Sequence, residues 1–222
     1  MSTISETALA RFICARLPLL PVPGVSEIRL HKARPDSGLS RFLASSATRP
    51  PYWAHHWGGG LALARYILDR PQIVRGKRIL DLGAGSGLLA IAARRAGADA
   101  ADAAEIDTHA VVAMRLNCLA NGVEIRIIHA DILDDAPLPV DLVLVGDLFY
   151  ERRLAQRTLR YLDRCLEAGS EVVIGDPYRA FLPLSRLDRL AETVVMETAG
   201  TFRAAGIFRL NVGPKGFGQR GH

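Results

Sequence analysis

The chain has 222 residues, is 49% hydrophobic and 23% charged, and carries a formal net charge of +5 with a pI near 9.4. That length and balance exclude wholesale disorder and fit one domain with an extension, large enough to bury a sizeable core. No uncharged apolar run approaches the ~20 residues of a spanning helix, and Met1–Glu6 has neither the basic start nor the apolar block of a secretory signal.

In chain order, residues 1–50 read as an elaboration packed on a main domain of residues 51–212. Glu6 to Arg16 has the pattern of a short helix, with Leu9, Phe12 and Ile13 on one face, and Pro18, Pro21 and Pro23 end it. Val25 to His31 reads as a short strand, and Pro35-Asp36-Ser37-Gly38 as a turn. After Trp57, Leu61, Leu63, Ala64, Ile67 and Leu68 make a helical face that ends near Pro71. The pattern then alternates. It runs strand Lys77–Leu82, helix Ser86–Arg95, strand Ala100–Ile106, helix Thr108–Ala120 stopped by Asn121-Gly122, and strand Glu124–His129. Val140–Gly146 is a near-continuous apolar run, expected of a strand covered on both faces. An amphipathic helix over Leu154–Leu166, a strand over Glu171–Gly175, a shorter helix around Ser185–Leu190 and two strands near Thr193–Glu197 and Ala204–Asn211 complete it, with residues 213–222 a Gly-rich flexible tail. Alternating strands and helices predict an α/β doubly wound, mostly parallel sheet of about seven strands, helices on both faces.

Cys14, Cys118 and Cys165 are scattered, which predicts free buried thiols in a reducing compartment rather than disulfides or a metal site. The expected compartment is a bacterial cytoplasm, or a mitochondrial matrix if the source is eukaryotic, and the expected state a monomer. Only Lys32, Lys77 and Lys215 are lysine, so 25 of the 28 basic residues (28 − 3) are arginine. That excess fits an acidic or nucleic-acid partner, or a genome-wide composition habit; the dispersal of the arginines favours the second.

The richest stretch is Ile79-Leu80-Asp81-Leu82-Gly83-Ala84-Gly85-Ser86-Gly87-Leu88, where a buried strand turns into a helix. Alternate glycines let backbone approach a ligand, and the helix start offers free amides. The next strand ends in Glu105-Ile106-Asp107, and Glu105 lies 22 residues after Gly83 (105 − 83). An acid there is placed to accept from both ribose hydroxyls of a nucleoside. Leu88 stands where a dinucleotide fingerprint wants its third glycine. The spacing, with Asp81 ahead of the loop, instead resembles motif I of the Rossmann-like S-adenosylmethionine-dependent methyltransferases. That resemblance implies S-adenosyl-L-methionine held by Asp81, Gly83, Ala84, Gly85 and Gly87, by Glu105 and Ile106, and by Asp131 and Ile132 after the third strand. Asp131 would face the adenine amino group; the alternative, taken alone, is a solvated loop carboxylate or a helix cap.

Asp147-Leu148-Phe149-Tyr150, after the fourth strand, resembles the Asp/Glu-x-x-Tyr/Phe signature of protein lysine methyltransferases in the same superfamily. With Pro51 to Leu63, which contains Trp53, His55-His56 and Trp57-Gly58-Gly59-Gly60, and with Gly175-Asp176-Pro177, the chain resembles the electron transfer flavoprotein β-subunit lysine methyltransferases over roughly residues 10–212. Gly58 in place of proline, the histidine pair, and Glu105 in place of aspartate depart from that pattern. The resemblance implies Asp147 and Tyr150 as catalytic residues, with Asp147 both contacting the donor and orienting the amine, and Tyr150 walling the lysine channel. Trp57 packs near the donor's methionine end or anchors the helix entry, and Phe149 is equally a core residue. His55 and His56 read as surface or substrate contacts, with base chemistry by one of them an alternative. The function implied is methyl transfer to lysines of the electron transfer flavoprotein β subunit. The alternatives are a methyltransferase of small molecules or another protein, and a non-catalytic nucleoside- or RNA-binding module.

Overall fold

The computed structural model describes residues 4–44, 50–197 and 201–212; the expected tail at 213–222 lies outside them. Helix α1 (Glu6–Arg16) buries Leu9 and Ile13 and is capped by Ser5, whose Oγ accepts from the Ala8 amide. Phe12 is stacked on Phe42 of α2 (Leu39–Leu43), with ring centroids 4.1 Å apart. Between these helices β1 (Leu19–Val22) and β2 (Val25–His31) form an antiparallel hairpin turned at Gly24, whose φ of +71° suits glycine. The prolines predicted only a helix end; β1 accommodates Pro21 because a two-stranded ribbon leaves one edge unpaired.

The main sheet begins after α3 (Gly58–Asp69) with β3 (Arg78–Leu82), followed by α4 (Leu88–Arg95), β4 (Ala100–Glu105), α5 (Thr108–Asn121), β5 (Arg126–His129), β6 (Leu142–Gly146), α6 (Arg152–Glu167) and β7 (Glu171–Asp176). β8 (Leu187–Met196) and β9 (Phe202–Leu210) close it in the order β5-β4-β3-β6-β7-β9-β8. β3 to β7 are mutually parallel, and the last two pairings are antiparallel. The expected seven-stranded, mostly parallel doubly wound sheet is therefore present. One element differs: the helix read over Ser185–Leu190 is a short 3-10 turn, Leu184–Arg186, leading directly into β8. Leu187 and Leu190 have helical spacing, but pairing of Leu187 with Leu210 and of Arg189 with Phe208 draws the segment into the sheet.

Strand side chains alternate between two cores, as period-two geometry requires. Ile79, Leu142, Leu144 and Val173 pack with α3, α4 and the β1–β2 hairpin, whereas Leu80, Leu82, Val143, Val145 and Ile174 pack with α6. Phe149 is fully buried in the second core, which decides its role as packing. Cys118 and Cys165 are buried free thiols, but Cys14, on the outer face of α1, is exposed, against the expectation for all three.

Helix α3 crosses the sheet at van der Waals limits. A Cβ on Gly59 would lie 2.1 Å from the Gly175 carbonyl oxygen, and one on Gly175 would lie 2.2 Å from that of Gly59. Only glycine at both positions permits this contact of backbone on backbone. Gly59→Ala is expected to destabilise the fold by about 1–3 kcal/mol, lowering the melting temperature by several degrees. Thermal unfolding checks this, and an unchanged midpoint contradicts the packing.

Candidate active site

A cavity of about 840 Å³ opens at the carboxyl ends of β3, β4, β5 and β6. In a doubly wound sheet this is where the chain changes direction across the strands and loops diverge to leave a crevice. Asp81, Gly83, Ala84, Gly85, Glu105, Ile106, Asp131, Ile132, Asp147, Tyr150 and Trp57 all line it. Of the residues expected at the site, Gly87 alone is absent. It caps α4 at φ +81°, and a Cβ there would meet the Met114 side chain at 2.7 Å. Helix packing alone already requires glycine there.

The glycine loop is tied to β4. Gly83 and Ala84 both donate to the Ala104 carbonyl at 3.0 Å, and Gly85 donates to Glu105 Oε2 at 2.8 Å. Glu105 Oε1 accepts from Ile106 and Asp107 at 2.8 and 2.9 Å. A carboxylate has about four acceptor positions, so Glu105 keeps one; taking two ribose hydroxyls requires release of the Gly85 amide. Ile106 is an exposed apolar side chain beside it, while Ile132 is buried.

Asp131 Oδ1 accepts from the Leu133 amide at 3.2 Å, and its Oδ2 pairs with Arg157 at 2.9 Å. The residue thus stabilises its own loop while its half-exposed side chain borders the cavity. Asp81 is buried and turned toward α4, where Oδ2 accepts from Ala90 at 3.0 Å. Burial, then the neighbouring Glu105, push its carboxyl up to about 7, against the lowering effect of the Ala90 hydrogen bond.

Asp147 sits at the tip of β6 with φ +61°. Its Oδ1 accepts from Gly59 at 3.1 Å and its Oδ2 from Gly60 at 2.7 Å, so the carboxylate caps the first turn of α3. Arg179, beyond β7, donates from Nη2 to Oδ1 at 2.7 Å. Burial raises the Asp147 carboxyl above its ordinary value, with Arg179 and the two glycine amides opposing the rise. The Arg179 guanidinium also lies 5.8 Å from the Trp57 ring centroid. Trp57, at the N-cap of α3, donates from Nε1 to the Tyr52 carbonyl at 2.9 Å, and its ring meets Tyr52 edge-on. Tyr150 lies 6.1 Å from Tyr52, centroid to centroid, so three half-exposed aromatic rings border the mouth of the cavity.

His55 and His56 line the same wall. Burial, then Lys32, push both imidazoles down, His56 to about 3 with His55 adding to the shift. At neutral pH His56 is uncharged and a weak base, which makes it a poor proton acceptor for catalysis. Arg179, Tyr52 and Arg157 join the site without having been expected there from the sequence. For Arg179 the usable signal is an arginine three residues beyond the acid that ends β7 (179 − 176).

Residues 62–146 match the family model for ribosomal protein L11 methyltransferase (PrmA). Over 131 residues, 58% of this chain and 51% of that protein, the chain is 46% identical to the electron transfer flavoprotein beta subunit lysine methyltransferase of Rattus norvegicus. Over 170 residues, 69% of this chain and 70% of that protein, it is 32% identical to the electron transfer flavoprotein beta subunit lysine methyltransferase homolog of Caenorhabditis elegans. The chain belongs to this methyltransferase family. It spans about half the length of its vertebrate members. The fold is shared with the 16S rRNA N2 methyltransferase of T. thermophilus solved in complex with AdoMet and guanosine, at a TM-score of 0.52 and 21% identity, over 70% of this chain and 43% of that one.

Asp81 gives this family member a pH-dependent stability. Its folded value of about 7 exceeds the ordinary 3.8, so the native state binds the extra proton between those limits. Its contribution is greatest below about pH 4 and is lost as pH rises toward 7, by up to about 4 kcal/mol. Asp81→Asn is expected to gain melting temperature relative to the parent between pH 4 and 8; parallel curves contradict the assignment.

Proposed function

We propose that the protein is an S-adenosylmethionine-dependent protein-lysine N-methyltransferase acting on the electron transfer flavoprotein β subunit. The observation that carries this reading is the convergence of the glycine loop, Glu105, Asp131, Asp147 and an aromatic rim on one cavity at the strand tips. Its volume of about 840 Å³ lies within the ~300–1,000 Å³ of small-molecule sites. Family membership and the names of the relatives supply the acceptor.

The donor set suits an adenosyl sulfonium. Gly85 opens to the cavity: a Cβ added there would meet nothing nearer than the Trp53 Cα at 3.9 Å, so a nucleoside can approach its backbone. Glu105 offers its remaining acceptor position to a ribose hydroxyl. Asp131 offers a carboxylate to an exocyclic amine, and Ile106 and Ile132 provide apolar walls for a flat base. When bound, S-adenosylmethionine supplies a methyl group already activated as a sulfonium. What remains for the chain is alignment of the amine and exclusion of water.

Lysine must lose a proton before it can act as a nucleophile. From a model value near 10.4, deprotonation at pH 7.4 costs about 3 units, roughly 4 kcal/mol. A carboxylate beside an ammonium favours the charged form, so Asp147 orients the amine and the proton departs to water. Trp57, Tyr52 and Tyr150 wall the approach and exclude solvent. A second reading, methylation of a different protein such as ribosomal protein L11, is favoured by the family model that matches the donor half.

Incubation with methyl-labelled donor and the flavoprotein β subunit is expected to label lysine; a preparation that binds donor yet labels none contradicts the reading. Glu105→Ala is expected to weaken donor binding at least about tenfold by calorimetry, a loss of about 1.4 kcal/mol. Asp147→Asn is expected to leave donor affinity within a few-fold while turnover collapses. The reverse pattern overturns the division of roles.

A further inference from the structure

The non-glycine residues with positive φ among those described are Asp147, which lines the cavity, and Tyr178, at 61° each. Tyr178 directly precedes Arg179. Backbone held in that region is sustained only by its surroundings and concentrates at functional sites. Here it accompanies an arginine inserted between two buried acids. Arg179 Nη2 meets Asp147 Oδ1 at 2.7 Å, its backbone amide donates to Asp176 Oδ1 at 2.7 Å, and its Nε stands 3.8 Å from Asp176 Oδ2. Asp176 is fully buried, and its Oδ2 and the Arg179 Nε have no hydrogen-bond partner among the described residues. The guanidinium charge is therefore shared between two carboxylates, with its direct hydrogen bond going to Asp147.

We propose that Arg179 is the positioning residue that holds the Asp147 carboxylate in its charged form and aimed toward the incoming amine. The inference rests on the lysine methyltransferase reading of this cavity. Asp147 is buried, and two amides from α3 alone leave a desolvated charge beside a second acid. Burial raises the Asp147 carboxyl, and Arg179 is the largest opposing influence. Burial also raises Asp176, to about 6, with Asp147 adding to the rise and Arg179 resisting it. Glu197 accepts from the Gly58 amide at 2.8 Å, at the start of the same helix, and Glu105, Asp131, Glu151, Arg153 and Arg157 line the same cavity. Among these, only Arg179 contacts Asp147 with a positive charge. Without it, burial acts on Asp147 with only the two α3 amides opposing, and its carboxyl is pushed further above its ordinary value. A neutral carboxyl has lost the charge that steers an ammonium, and it must yield an acceptor position to its own proton.

The test uses the full chain with its protein acceptor. In Arg179→Gln, turnover at pH 7 is expected to fall at least about tenfold and to recover toward the parent value as pH rises, because loss of the guanidinium displaces the Asp147 carboxyl further above its ordinary value. Arg179→Lys keeps the charge and is expected to retain the parent profile with a smaller loss. Carboxyl-carbon NMR titration gives a readout independent of methyl transfer. The Asp147 signal is expected to titrate at higher pH in Arg179→Gln. It is expected to titrate at lower pH in Asp176→Asn, which removes the like charge while its amide oxygen still accepts from Arg179. An Asp147 titration unmoved in both variants overturns the proposal, as does an Arg179→Gln loss equal at every pH. Where Arg179→Gln does not fold, the Asp176→Asn titration decides. If the parent labels no lysine while the Asp147 titration shifts as stated, the lysine reading fails and the control of Asp147 by Arg179 stands.

Discussion

The carboxylate of Asp147 accepts the amides of Gly59 and Gly60, fastening the start of α3 to the tip of β6. The first amides of a helix have no partner within it, and their aligned dipoles favour a negative charge. Here that demand is met by a side chain from the centre of the sheet, and the contact closes because Gly59 and Gly175 bring backbone against backbone. Trp57, one residue before the helix, is thereby set at the rim of the cavity, with Tyr52 and Tyr150 beside it. The residue proposed to orient the acceptor amine thus also fastens the helix behind this aromatic rim. Coupling of this kind means that substitutions at Asp147 act on architecture and chemistry together.

Acidic and basic side chains are paired around the cavity, Arg157 with Asp131 and Arg179 with Asp147. Asp81, Glu105 and Asp131 line it with the glycine loop, and Asp147, Arg179 and the neutral imidazoles of His55 and His56 line it with the aromatic rings. The acids are not free to serve a ligand alone. Glu105 already holds Gly85, Ile106 and Asp107, Asp131 holds Arg157, and Asp81 holds α4. Each carboxylate shapes the loop that would meet the donor, and this preorganisation places binding groups before a ligand arrives.

Much of this was legible in the chain because it depends on local pattern. Apolar runs and glycine turns mark β3, β6 and their helices, and acids placed immediately after strands land at one sheet edge by the geometry of parallel crossovers. What escaped depends on distant partners. Nothing local at Gly59 announces contact with Gly175, 116 residues later (175 − 59). The path that carries Arg179 to Asp147 turns on the backbone of Tyr178. The segment after Leu184 has helical spacing, yet it becomes β8 because β9 offers a pairing edge. Gly87 belongs to the motif by spacing, and its need to make room for Met114 is equally invisible locally.

The most direct test is a crystal structure of the protein with S-adenosylhomocysteine. The account predicts the nucleoside along Gly83–Gly85, a ribose hydroxyl on Glu105, the base against Ile106 and Ile132, and the sulfur directed toward Asp147 and Trp57. Density for the nucleoside away from the glycine loop, or a sulfur pointing away from Asp147, would contradict it.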